Sequence, residues 1–138
     1  MLVFAVALVS TSWAESDFKT IGTVQLHSMV VDNAFRIEGG REQHFTIIDA
    51  RTKEEYDEAH IFSAMSIPEK DVEKTIALLP KGKDVLLVVY GDDRKFETSS
   101  RWAGKAAVAG YMNVTIYAEG FSVWKKNKMP IAPFRSDF

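Results

Sequence analysis

Cysteine is absent from the 138-residue chain. That excludes disulfides, thiolate metal sites and every reaction run through the protein's own thiol. Histidine is scarce: His27, His44 and His60 are too scattered to suggest a zinc cluster, and no metal or other cofactor is expected. No long basic run occurs, and 17 basic residues against 19 acidic ones give a formal net charge of -2. Neither nucleic acid nor an anionic membrane is therefore an expected partner. No apolar stretch is long enough to cross a bilayer, and there is neither an internal repeat nor a low-complexity segment. What remains is the composition of a soluble globular protein, 46% hydrophobic and 26% charged, at a length that makes one domain and not two.

The N-terminus reads MLVFAVALVSTSWAESDFK. Residues 2–9 form an unbroken apolar run of the length of a signal-peptide core, and Ser12-Trp13-Ala14 supplies the small-x-small pattern that a signal peptidase reads. No Lys or Arg precedes the run, and the alternative is a buried first strand. We expect residues 1–14 to be removed before Glu15, leaving residues 15–138 as a periplasmic or secreted domain with no membrane attachment. If the run is a strand, the protein is cytoplasmic. No cysteine follows to carry a lipid.

Residues 15–44 carry weak signals, short apolar stretches around Val24 and residues 34–37 followed by a break at Gly39-Gly40. Beyond them the pattern sharpens. Residues 45–48 (FTII), closed by Asp49, predict a buried strand. Thr52-x-x-Glu55 is a capping box that opens a short helix to about Ala59. Val72, Ile76 and Leu79 recur at helical spacing, stopped by Pro80-Lys81-Gly82. Residues 85–90 (VLLVVY) predict a strand covered on both faces, and residues 114–117 another. Between them a polar loop leads to a helix capped by Ser99 or Ser100, packed through Ala103, Ala106 and Ala107, and ended at Gly110. A last helical turn lies around Val123-Trp124. Strands alternating with helices over this length imply a mostly parallel sheet with helices on both faces.

Two blocks of residues resemble a known family. Asp49-Ala50-Arg51-Thr52-Lys53-Glu54-Glu55-Tyr56, then His60-Ile61, Ala64 and Ile67-Pro68, is similar to the first signature of the rhodanese family, with Ala59 and Ser63 where glycines usually stand. Gly110-Tyr111-Met112-Asn113-Val114, Gly120, Trp124 and Pro130 resemble its C-terminal pattern, with Glu119 in place of a glycine. In that family a cysteine begins a loop whose backbone N–H groups curl around it at a helix N-terminus, a setting that favours a thiolate and holds a persulfide. The resemblance aligns residues 90–101 with the subgroup that has two cysteines in this loop. It places Phe96 at the nucleophile and Gly91 at the other cysteine, while Ser99 and Arg101 match. It implies the rhodanese-like α/β sandwich and, with Phe96 unable to attack sulfur, a catalytically inactive member that binds or regulates, in periplasmic sulfur metabolism. The competing reading is a sulfurtransferase served by a partner's thiol. Phosphate-ester-cleaving relatives of the fold also begin their loop with cysteine, so phosphatase activity is equally undermined.

The candidate binding residues are Glu97, Thr98, Ser99, Ser100 and Arg101, facing an unidentified protein partner or small anion, in a monomer or weak dimer. Thr98 or Ser99 as a nucleophile would need an adjacent base, and no histidine lies in the segment. Arg101 has two open readings: a cation offered to an anion on the helix N-terminus, or the partner of Glu97 four residues back. Asp49 with Arg51 reads as structural and not as an acid–base pair. His60 reads as a packed histidine, Trp102 and Trp124 as core or groove-edge aromatics, and Asp92-Asp93 as a solvated loop.

Overall fold

The computed structural model describes residues 18–41, 45–92 and 97–133. The residues 1–14 expected as a leader, Phe96 and Asp93 lie outside the described residues. In chain order the elements are β1 (Lys19–Ile21), α1 (Thr23–Glu38), β2 (Phe45–Asp49), α2 (Lys53–Glu58), β3 (His60–Ile61), β4 (Met65–Ser66), α3 (Val72–Thr75), β5 (Leu86–Tyr90), α4 (Glu97–Val108), β6 (Val114–Tyr117), α5 (Gly120–Lys126) and β7 (Ile131–Ala132). Short 3-10 turns, Glu69–Asp71 and Ile76–Leu78, flank α3. No helix among the described residues is long and apolar enough to cross a membrane.

Five strands form one sheet in the order β1-β6-β5-β2-β4, and every pairing in it is parallel. A separate antiparallel pair joins β3 to β7. Successive side chains of a strand point to opposite faces, and here both faces are covered. Ile48, Leu87, Val89 and Ile116 pack against Trp102, Ala103 and Ala106 of α4 and Val72 of α3. Ile47, Val88, Tyr90 and Tyr117 pack on the other side against Leu26 and Val30 of α1 and Phe121 and Trp124 of α5. That double burial explains why β5 reads as an uninterrupted apolar run.

The capping box forms in altered shape. Thr52 Oγ1 accepts from the Glu55 N–H at 3.2 Å, but its hydroxyl then donates to Glu55 Oε1 at 3.0 Å, so the carboxylate closes on the threonine side chain. Two expectations need correction. Residues 19–38, read as weakly patterned, hold an edge strand and the longest helix described. The N-cap of α1 is Gly22, with no side-chain bond and no acid in the first turn, so none of the usual start signals marks it. Its burial rests on Leu26, Val30 and Asn33, whose Nδ2 donates to the Phe45 carbonyl at 3.3 Å. The second correction concerns Ser99 and Ser100. They are not caps: α4 begins at Glu97, and both serines lie inside it, buried at 2% and 8% exposure.

Candidate functional site

The carboxyl ends of β2 and β5 meet the start of α4, where ligands of open parallel sheets commonly bind. Asp49 ends β2, is fully buried and is saturated with donors. It accepts from the Arg51 backbone N–H at 2.9 Å, from Arg51 Nε at 3.1 and 3.2 Å and Nη2 at 2.8 Å, and from the Tyr90 hydroxyl at 2.7 Å. Arg51 Nη2 also donates to the Ala59 carbonyl at 2.7 Å, and its guanidinium lies 3.9 Å from the centre of the Phe121 ring. Tyr90 oxygen in turn accepts from the Ile61 N–H at 3.0 Å. Burial pulls the Arg51 pKa down, but the hydrogen bonds and charge of Asp49 outweigh it and hold the guanidinium above its ordinary value. Burial, then the Asp49 charge, pushes the Tyr90 hydroxyl well above the usual range. A carboxylate so fully engaged has no lone pair aimed at a substrate, so the pair is structural, as its spacing suggests. It locks β2, β5, the end of α2 and the start of β3 together.

Beside this clamp opens a hollow of about 400 Å³. Thr98 and Arg101 line it from α4, Thr52 and Glu55 from the α2 cap, and Glu69 and Lys70 from the turn after Ile67-Pro68. Asp92 closes one side, its carboxylate taking the Ser122 hydroxyl at 2.7 Å. Of the five candidate residues, two therefore reach the hollow. Glu97 is exposed on the first turn of α4, where its charge suits the helix dipole. Ser99 and Ser100 are buried in the helix, and the Ser100 hydroxyl finds no hydrogen-bond partner among the described residues. Arg101 takes neither expected form cleanly: its partner is Glu69, Nε to Oε1 at 3.2 Å, and not Glu97. The side chain at 69 reaches it because the turn after Pro68 packs against α4, a contact between residues 32 apart that no local pattern announces.

Gly91, buried at the end of β5, sits against α4: a Cβ there would lie 3.4 Å from Thr98 Cβ and 3.8 Å from the Ser99 amide nitrogen. The loop's other wall is the start of α5. Gly120 adopts a φ of +79°, and a Cβ on it would come within 3.0 Å of the Asp92 carbonyl oxygen. Only glycine fits so close an approach without strain. The Phe121 N–H donates to the Gly91 carbonyl at 2.9 Å beside it. His60 is a packed histidine, as expected. Its ring stacks 3.7 Å from that of Tyr56, and Nδ1 bonds the Tyr56 carbonyl at 2.7 Å, so this nitrogen carries the proton. Trp102 and Trp124 are both fully buried in the core. Tyr90 was the residue that pattern reading missed. A polar tip at the end of an apolar strand was its signal, because a buried tyrosine hydroxyl needs a partner.

This parallel sheet with helices on both faces is shared with rhodanese-like domains of known structure, and a profile of that family matches residues 33–127. The chain belongs to this family. The rhodanese-like domain of an Anabaena protein, solved in solution, is 26% identical, with a TM-score of 0.63 over 86% of this chain and 87% of its own. A crystal structure from the same Anabaena protein gives 27% identity and a TM-score of 0.64 over 83% and 82% of the two chains. An uncharacterized protein of Buchnera aphidicola is 26% identical over 106 residues, covering 76% of this chain and 70% of its own. Thiosulfate sulfurtransferase of Pseudomonas aeruginosa shares the fold alone, with a TM-score of 0.66 at 17% identity over 83% of this chain and 20% of that one.

Proposed function

We propose that this rhodanese-like domain transfers no sulfur and serves as a binding module, exported from the cytoplasm, whose hollow beside α4 receives a segment of a partner protein. One observation carries the reading: among all 138 residues there is no cysteine, so no persulfide can form on the chain. The hollow supports the choice of partner. Arg51, Lys70 and Arg101 line it together with Glu55, Glu69 and Asp92, a balance of sign that suits a polar protein segment better than a bare anion.

The test is incubation with thiosulfate followed by intact-mass measurement and a cyanide turnover assay. No sulfur adduct and no turnover above the buffer blank are expected; either one would refute the reading. Export is checked separately by N-terminal sequencing of protein from its native host. A mature chain starting at Glu15 supports it, and one starting at Met1 rejects it.

A further inference from the structure

On the far side of Arg101 from the hollow, α3 and α4 leave a groove of about 490 Å³ between them, within the range of roughly 300–1,000 Å³ that holds small molecules. From α4 it is lined at positions 101, 104, 105 and 108, which share one helical face, and from α3 and the turn after it by Val72 and Ile76. Gly104, in the middle of the α4 face, adds no side chain to the floor, and Val108 stands 74% exposed at the rim. The walls offer Val72, Ile76, Val108 and Ala109 but neither an aromatic ring nor a hydroxyl. Such a groove can recognise a ligand by its aliphatic surface and by nothing else along its length.

Its charged end is different. Lys105 Nζ is taken up by the Glu69 carbonyl at 3.0 Å, the Glu69 carboxylate at 3.3 Å and the Glu73 carboxylate at 3.5 Å, which uses its donors. Arg101 spends only Nε, on Glu69, and its two terminal nitrogens have no protein partner among the described residues. Two parallel N–H donors on a half-exposed guanidinium match a carboxylate in two-point geometry.

We infer that the α3–α4 groove binds an aliphatic carboxylate of medium length, its chain along Val72, Ile76 and Val108 and its head on the terminal nitrogens of Arg101. The inference does not use the hollow's partner, so its failure leaves that reading untouched. Arg101 borders both spaces, and a ligand in the groove would draw it away from the hollow.

Calorimetric titration of the full chain with octanoate, decanoate and dodecanoate, each below its micellar concentration, tests this. Affinity should rise by about tenfold for each two methylenes added. Arg101→Gln should weaken decanoate about tenfold and leave decanol unchanged. Val108→Glu, at an exposed position that leaves the fold intact, should abolish both. Affinity that ignores chain length, or that survives both substitutions, would overturn the proposal. So would a dimer in sedimentation that Val108→Glu disperses without any decanoate binding, since the groove would then be an interface between copies.

Discussion

The clamp at the ends of β2 and β5 shares Arg51 with the hollow beside it, yet the two are built on opposite terms. In the clamp, Asp49, Arg51 and Tyr90 are buried, and their hydrogen bonds tie β2 to β5, to the end of α2 and to β3. In the hollow, Arg101 is exposed and Thr98 half-buried, and Arg101 is paired through Nε alone, with Glu69. The first region matches the family signature residue for residue at Asp49 and Arg51. The second lacks the cysteine around which such a loop is organised. Removing Asp49 or Arg51 strands a buried charge, so that region is held by stability whatever the domain does. Nothing in the fold requires a thiol at the mouth, so that region is free to depart once its chemistry is not needed.

The largest effect that can break this contrast is on stability. Asp49→Ala should cost roughly 3–5 kcal/mol in urea unfolding, because it leaves the Arg51 guanidinium buried without its carboxylate. The pair of Arg101 with Glu69 is half-exposed on the arginine side, and Arg101→Gln should cost no more than about 1 kcal/mol. Against a total stability of roughly 5–15 kcal/mol, the first threatens folding and the second does not. Similar costs for the two would mean that the clamp and the mouth are not mechanically distinct.

Tyr90→Phe should have the next effect, about 1–3 kcal/mol near neutral pH, since the Ile61 N–H loses its acceptor and Asp49 loses a donor. Its pH dependence has a definite sign. Below about pH 10 the hydroxyl is neutral in both the folded and unfolded chain. Above that, the unfolded tyrosine ionises while burial and the Asp49 charge keep the folded one protonated. The unfolded state then binds fewer protons, so stability is lost as pH rises from about 10 through the folded value. The same direction holds for Tyr56 and Tyr117, both raised chiefly by burial. The wild type should therefore lose stability in this range faster than Tyr90→Phe, and the gap between them should narrow. A gap that stays constant between about pH 8 and pH 11 would show that Tyr90 titrates normally.

Much of the scaffold was legible in the sequence because it is written in short patterns. The run at residues 85–90, the Thr52–Glu55 cap and the stop at Gly110, whose φ is +100°, each lie within a few residues and each formed. Helix α1 was not legible, because Gly22 gives no capping side chain and its buried face includes the polar Asn33. Ser99 and Ser100 have the residue type of a cap, but their small size serves burial inside α4. The Asp49–Arg51 half of the clamp, two residues apart, could be read. Tyr90 and the Ala59 carbonyl, 41 and 8 residues from their partners, could not. Partnerships made by tertiary packing leave no spacing to find.

The smallest effect concerns which position in the departed loop corresponds to the family's nucleophile. Family register assigns it to Phe96, the residue immediately before the first residue of α4. If residue 96 keeps the place that the family register gives it, a thiol introduced by Phe96→Cys lies at the positive end of α4, which lowers a thiol pKa from about 8.5. An exposed helix terminus contributes about 0.3–1 kcal/mol, so the shift should be less than about one unit. The Glu97 carboxylate next to it opposes that shift, and adding Glu97→Gln should lower the pKa further. Gly91→Cys is the control: its Cβ has room and would lie 3.8 Å from the Ser99 amide nitrogen, within the same first turn. Thiol-reagent titration of the three variants across pH decides between the positions. If Phe96→Cys stays at or above the free value while Gly91→Cys falls below it, the nucleophile's place is the strand end, and the register of the loop must shift by five residues.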